Sequence, residues 1–296
     1  MPRQDGIHDA VRLVMRALVV LALCAGCTGC GDNQHGDGVA LAQAKHVAVI
    51  AHQDDDLIFM QPDLPEAIER GEGLTNVYVT AGNDVHGTGF SNPRYAGLMA
   101  AYGAVAGDQA WECGWITISN HVAQHCRLAS ANVSLVFLAY PDGGINGENP
   151  GSLLSLWQGT TLRATTIADR TTTYNRDELI ETVQTILETV HPEVVHTLDL
   201  PATHGRDHSD HFSVGALAGI AVARLPYMPT LISYRGYDNT RDAPNKAGAF
   251  LDRTEHLLAY YEACAYGCGT CGEPCDHVDH SHLDWASRRY AFGYRN

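Results

Sequence analysis

The sequence predicts an α/β fold: a Rossmann-like, doubly wound and mainly parallel sheet, followed by a cysteine-rich C-terminal tail. Three observations carry that expectation. Short apolar runs rich in β-branched residues alternate along the chain with segments of helical period. The most polar and chemically dense strings directly follow two of those runs, where ligands meet the carboxyl ends of parallel strands. Four cysteines crowd into residues 264–275, close to the end of the chain.

Taken in order, His46-Val-Ala-Val-Ile-Ala51 reads as a buried strand ending in the string His52-Gln-Asp-Asp-Asp56. Leu64–Gly71 reads as a short helix and Leu74–Thr80 as a second strand before an Ala81-Gly-Asn-Asp84 turn, so the chain opens as βαβ. Arg94–Ala106 spaces Ala, Leu, Met and Tyr around a helical repeat and stops at Gly107. Trp115–Ser119 and Val133–Ala139 are further strands, the second running into the turn-forming Tyr140-Pro-Asp-Gly-Gly144. The Thr-rich stretch Thr160–Thr173 reads as a loop. Asp177–Val190 puts Leu179, Ile180, Val183, Ile186, Leu187 and Val190 on one helical face, with Asp177 as N-cap. Glu193–Leu198 follows as a strand whose exit carries His204, His208, Asp210 and His211, and a helix starts near Phe212 with Asp210 as a cap. Lys246–Cys264 forms a later helix ahead of the cysteine cluster.

The chain has 296 residues, 45% hydrophobic and 18% charged, which suits one globular domain, placed at residues 44–296. A net charge of −15 argues against a protein held to nucleic acid through phosphates, because that needs a basic face. The N-terminal apolar run Ala17–Gly26 is about half the roughly 20 residues a membrane span requires. With Arg12 and Arg16 ahead of it and small residues behind, residues 1–27 read as an export signal and residues 28–43 as a flexible tether. Cys24-Ala-Gly-Cys27 resembles a bacterial lipoprotein signal, so the chain is either anchored to a membrane through a lipidated Cys27 or simply cleaved. Both routes lead to the periplasm or the exterior. Six cysteines lie beyond the tether: Cys113, Cys126, Cys264, Cys268, Cys271 and Cys275. An even set in an oxidising compartment reads as disulfides, with Cys113 and Cys126 the natural local pair. The cluster of four could instead hold a zinc ion, but it lacks the two separated halves of a zinc ribbon. His277, His280 and His282 beside it read as a solvated polar loop.

The string Ala51-His-Gln-Asp-Asp-Asp56 sets one imidazole and three carboxylates at a strand end, where a divalent cation would relieve their repulsion. His204-Gly-Arg-Asp-His208-Ser-Asp-His211 stands at the end of another strand, so the fold can bring the two strings together. Two histidines and one carboxylate form a catalytic zinc set with a fourth position left for water. Alone, a run of acids is usually a solvated face and loop histidines usually sit at the surface. The joint order of the two strings, each behind a buried strand, outweighs that reading.

The two strings resemble those of the PIG-L/LmbE-like zinc N-deacetylases, which remove acetyl from N-acetylglucosaminyl substrates and related amides. The family signature Ala-His-Pro-Asp-Asp-Glu corresponds to Ala51-His52-Gln53-Asp54-Asp55-Asp56, and His-x-Asp-His to His208-Ser209-Asp210-His211. Arg94, the Tyr140-Pro-Asp-Gly143 loop, His191-Pro-Glu-Val-Val195 and Trp285–Tyr290 are similar too, so the resemblance covers roughly residues 44–265 and the end of the chain. It implies zinc held by His52, Asp55 and His211, with Asp54 as general base toward the water at the metal. It further implies that His208 stabilises the oxyanion or protonates the leaving amine, that Asp210 orients a histidine, and that Arg94 and Asp142 contact sugar hydroxyls. Gln53 in place of Pro is expected to loosen the turn that aims His52. Asp56 in place of Glu is expected to have a shorter reach for a supporting hydrogen bond. The implied function is release of acetyl from an N-acetylglucosamine-type sugar or glycoconjugate. Hydrolysis of another amide, or carbohydrate binding without catalysis, are the alternatives, and the retained Asp54 favours an enzyme.

Overall fold

The structure, a computed structural model, describes residues 40–199 and 207–294; the export signal, Cys27, most of the tether and His204 lie outside them. Eight strands form one sheet in the order β10-β9-β8-β1-β2-β5-β4-β3. The central five are β9 (Thr230–Tyr234), β8 (Val194–Leu198), β1 (His46–Ile50), β2 (Leu74–Thr80) and β5 (Val133–Tyr140), and all run parallel. Every residue of β2 and β5 is buried, as expected for strands covered by helices on both faces. The chain leaves β1 toward β2 and β5, then crosses back to β8 and β9. The strand order therefore reverses between β1 and β8, which is where a doubly wound sheet opens its ligand crevice. The predicted fold class is the observed one, and the two polar strings leave the sheet from the two strands that flank this switch point.

The edges are antiparallel. β3 (Glu112–Ile118) and β4 (His121–Leu128) form a hairpin on β5, and β10 (Ala291–Tyr294) pairs with β9. Sequence reading finds only the second half of β3 and misses β4, whose inward residues alternate with half-exposed ones and so show no apolar run. The hairpin turns on Ser119 and Asn120, both with positive φ (47° and 67°), without the Asn-Gly pair that advertises such turns. Thr160–Thr173, expected as a loop, contributes Ala164–Thr165 (β6), which pairs with Thr173–Tyr174 (β7).

The helices are α1 (Asp55–Phe59), α2 (Asp63–Glu69), α3 (Thr88–Ala106), α4 (Leu153–Gln158), α5 (Arg176–Val190), α6 (Ser209–Ala223), α7 (Ala249–Ala265) and α8 (His280–Ala286). Two expected caps are corrected. The N-cap of α5 is Asn175, not Asp177: its side chain accepts from Glu178 N, and Glu178 returns a bond to Asn175 N, a reciprocal capping box. The N-cap of α6 is His208, whose Nδ1 accepts from Asp210 N at 3.1 Å, so Asp210 is not the cap and keeps its carboxylate for other work. α3 starts at Thr88, six residues ahead of Arg94, and carries Pro93 within it. Pro93 has no N–H for the carbonyl of Gly89, and with Gly89 it hides this turn from propensity. α5 buries Leu179, Ile180, Val183, Ile186, Leu187 and Val190 as its period predicts. Each fully buried Leu or Ile there contributes about 1.5–3 kcal/mol.

Cys113 pairs with Cys126, Cys264 with Cys271 and Cys268 with Cys275. The C-terminal cluster is thus a pair of disulfides and not a thiolate metal site. Thiol titration of the unfolded, non-reduced protein is expected to find none of these six as free thiols, and mass spectrometry to recover these three pairs. Release of thiols together with a metal on adding chelator would contradict this. No helix among the described residues is long and apolar enough to cross a membrane.

Candidate active site

The site grows from the carboxyl ends of β1 and β8. Thr80 of β2 donates through both Oγ1 (2.8 Å) and N (3.1 Å) to Ala51 O, and Thr197 Oγ1 donates to Val49 O at 3.0 Å, so β1 exits in a fixed direction. Gln53 is fully buried and donates its amide to Thr80 O at 2.7 Å, which ties the His52 turn to β2 instead of loosening it. Asp56 is likewise anchored: Oδ2 accepts from Asn76 Nδ2 (3.0 Å), Tyr78 OH (2.7 Å) and Tyr102 OH. The expected weakening at both positions is therefore replaced by compensating contacts from residues that pair with neither in sequence. Burial lifts the Asp56 carboxyl to about 7 against those donors.

Three ligand-capable atoms converge behind this turn. His52 Nδ1 and His211 Nε2 lie 3.3 Å apart; the nearer Asp55 oxygens stand 3.3 Å from the first and 3.1 Å from the second. All three residues are buried. Ligand atoms held tetrahedrally at about 2.0–2.1 Å from one ion lie about 3.3–3.4 Å apart, so these three residues are close enough together to hold a metal ion. Asp55 Oδ2 accepts from His52 N at 2.7 Å, while the fully buried Oδ1 has no hydrogen-bond partner. A buried carboxylate with one oxygen toward each of two ring nitrogens is a cation's environment.

Each ring is oriented from behind. His211 Nδ1 meets Asp207 Oδ1 at 2.8 Å and His52 Nε2 meets Asp210 Oδ2 at 3.4 Å, so each histidine directs its remaining nitrogen at the shared point. Asp210 thus orients His52, and Asp207, which sequence reading assigns no role, orients His211. Asp207 also accepts from the backbone N–H groups of His208 (2.8 Å) and Tyr237 (3.1 Å). Gly236 allows this approach, since a Cβ there would lie 2.4 Å from both Asp207 Oδ2 and His211 Nδ1. His211 packs against Phe59 and Tyr237. Burial opposes charge on His211, but Asp207 and Asp55 outweigh it and raise its pKa to about 10. Burial likewise opposes charge on His52, yet Asp55, Asp210 and Asp142 raise it well above the ordinary value. The carboxylates thus favour positive charge at this point. A second grouping, His52, Asp142, His208 and Asp210, could also hold a metal; it has longer separations of 3.4–3.9 Å, and its Asp210 Oδ2 already accepts from Gly143 N, so the triad of His52, Asp55 and His211 is the tighter of the two. Asp207→Asn is expected to weaken metal affinity, probed with zinc, about 10–100-fold, the usual cost of losing such an orienting partner. Competition against a calibrated chelator measures it, and an unchanged affinity would contradict the orienting role.

Before this triad lies a cleft of 180 Å³ lined by His52, Asp54, Asp84, Arg94, Asp142, His208 and Tyr237, among others. It brings together every remaining predicted site residue except Asp210, which lies behind His52. Asp54 occupies the N-cap of α1, where a carboxylate usually binds the helix's own N–H groups, yet it makes no such bond and lines the cleft instead. His208 Nδ1 is taken by Asp210 N, so its ring proton sits on Nε2. Burial and the neighbouring rings of His52 and His211 lower its pKa to about 2 and keep it neutral. Asp142 serves two ends: Oδ1 accepts from Gly144 N at 2.9 Å to close its turn, and the side chain lines the cleft. It also borders a second cleft of 690 Å³ walled by Asn83, Val85, Pro141, Asn149, Arg163 and Ile167.

Residues 47–222 match the family described as PIG-L: GlcNAc-PI de-N-acetylase, and the chain belongs to that family. No curated protein matches the chain. Among solved structures it is similar to N,N'-diacetylchitobiose deacetylase from Pyrococcus horikoshii (18% identity, 88% of this chain and 80% of that chain covered, TM-score 0.43). It is also similar to GalB, the 4-carboxy-2-hydroxymuconate hydratase from Pseudomonas putida KT2440 (12%, 83% and 82%, 0.44), and to the zinc inhibited form of teicoplanin deacetylase Orf2 (12%, 82% and 84%, 0.42).

Proposed function

We propose that the chain is a zinc-dependent hydrolase that removes the N-acetyl group from an N-acetylglucosamine-type sugar or glycoconjugate. The observation that carries this reading is the triad of His52, Asp55 and His211, whose two rings are each aimed by a separate carboxylate, set beside a cleft that holds Asp54. Family membership supports the reaction class. Zinc bound there would bring the pKa of water near neutrality and polarise an amide carbonyl.

The chain's own groups fill the other roles. Asp54, not spent on capping, takes a proton from the attacking water at its carboxylate. His208 donates from Nε2–H to the developing oxyanion, because its Nδ1 is committed to Asp210 N. Of the two roles expected for His208, the hydrogen-bonding pattern supports donation to the oxyanion. Arg94 and Asp142 hold the sugar hydroxyls. The 690 Å³ cleft beyond Asp142 gives room for the rest of a glycoconjugate. An acetate-release screen over N-acetylated saccharides and cell-wall fragments tests the reading; release from other N-acyl amides only would assign the scaffold to a different amide.

The same proposal places the enzyme outside the cytoplasm, with residues 44–296 as the catalytic domain behind an export signal (1–27) and tether (28–43). Three disulfides within residues 113–275 support an oxidising compartment. Mass analysis of the mature N-terminus distinguishes a lipidated Cys27 from plain cleavage.

A further inference from the structure

The family match ends at residue 222, yet the chain beyond it reaches the site. α7 lies against α3 so closely that a Cβ on Gly97 would come within 2.5 Å of Tyr261 O. That contact sets the C-terminus of α7 beside Arg94, one turn earlier on α3. Tyr266, the C-cap of α7, donates its N–H to Glu262 O at 2.9 Å and places its ring 5.2 Å from Arg94 Cζ. The guanidinium also lies 3.8 Å from the ring centroid of Phe90. Arg94 is thus held by two aromatic rings, one from its own helix and one from the tail, and it reaches the cleft that contains Asp54. The charge of Asp54 acts on the Tyr266 phenol as well as on Tyr261.

Tyr266 is 46% exposed, so burial alone does not fix it. Its position is fixed covalently: it stands between Cys264 and Cys268, which are bridged to Cys271 and Cys275. One turn back, the buried Glu262 accepts from Asp279 N at 2.9 Å and pairs with His282 at 2.7 Å, tying the tail's next helix to the same place. Two disulfides thus flank the ring that meets Arg94, and that ring also packs against Tyr261 and His282.

We propose that Tyr266 is a positioning residue that acts through Arg94, so that the disulfide-bridged tail sets substrate affinity at the site; this rests on the N-deacetylase reading. The test is a double-mutant cycle on the full mature protein with an N-acetylglucosaminyl substrate. Tyr266→Ala is expected to raise KM about five- to tenfold with kcat within about twofold, as loss of a cation–ring contact used for binding requires. Tyr266→Phe, which keeps the ring and loses only the phenol's hydrogen bond to Arg94, recovers most of that loss. On an Arg94→Ala background Tyr266→Ala adds less than about twofold, because the two act as one unit. An unchanged KM in Tyr266→Ala, or full additivity with Arg94→Ala, overturns the proposal. If the wild type releases no acetate, the deacetylase reading fails on its own. The same cycle, read by calorimetric titration with N-acetylglucosamine, then decides the positioning role without turnover, on the same criteria of loss, rescue and non-additivity.

Discussion

Asp54→Asn is expected to retain its full zinc content and to lose about 10²–10⁴-fold in turnover, the range for a missing general base. The separation of the two readouts follows from where Asp54 stands. The ligand-capable atoms that lie 3.1–3.3 Å apart belong to His52, Asp55 and His211, and Asp54 contributes none of them. Asparagine has nearly the same shape, so the turn and α1 should survive, but its amide cannot accept a proton. Paired metal analysis and steady-state kinetics check this. Loss of metal would pass Asp54 to the ligand set, and full activity would pass the base to another group.

The second large effect is expected from His211→Ala. It removes one candidate ligand nitrogen, opens a cavity between Phe59 and Tyr237, and takes one partner from the partly buried Asp207 carboxylate. Zinc content should fall below about a tenth of wild type, and acetate release with it. Asp207 keeps its bonds from His208 N and Tyr237 N, so losing the ring costs about 1–3 kcal/mol, and the melting temperature should fall modestly for metal-free protein compared with metal-free wild type. A variant that keeps its metal would remove His211 from the ligands. A variant that loses metal without a stability change would show that the two backbone N–H groups suffice to hold Asp207.

Much of this site was legible before any coordinates because its chemistry sits at strand ends. β1 and β8 are recognisable as apolar runs, and a doubly wound sheet brings the segments that follow them to one crevice. That His52, Asp54, Asp55, His208, Asp210 and His211 meet follows from that logic, while the division of roles among them is what the family resemblance implies. What was missed acts through space instead of through a string. Asp207 stands inside the recognised string, but its role depends on the path that puts its carboxylate behind the His211 ring. Tyr237 and Gly236 come from the end of β9, a strand too short and too mixed in polarity to register. Tyr78 and Tyr102, the phenols that satisfy Asp56, look like ordinary core residues in sequence. The caps of α5 and α6 were misplaced by two residues each, because the choice among Asn175, Asp177, His208 and Asp210 is settled by backbone geometry and not by residue type.

The central claim is that a zinc ion at His52, Asp55 and His211 makes this chain an N-deacetylase. The most direct test follows one preparation of the mature protein through metal removal and reconstitution, with acetate release from an N-acetylglucosaminyl substrate as readout. The expected result is one zinc per chain as purified, loss of release on dialysis against a strong chelator, and recovery with one equivalent of zinc. Undiminished release from metal-free protein, or a fully zinc-loaded protein that releases acetate from no N-acetylated sugar or glycoconjugate, would contradict the account.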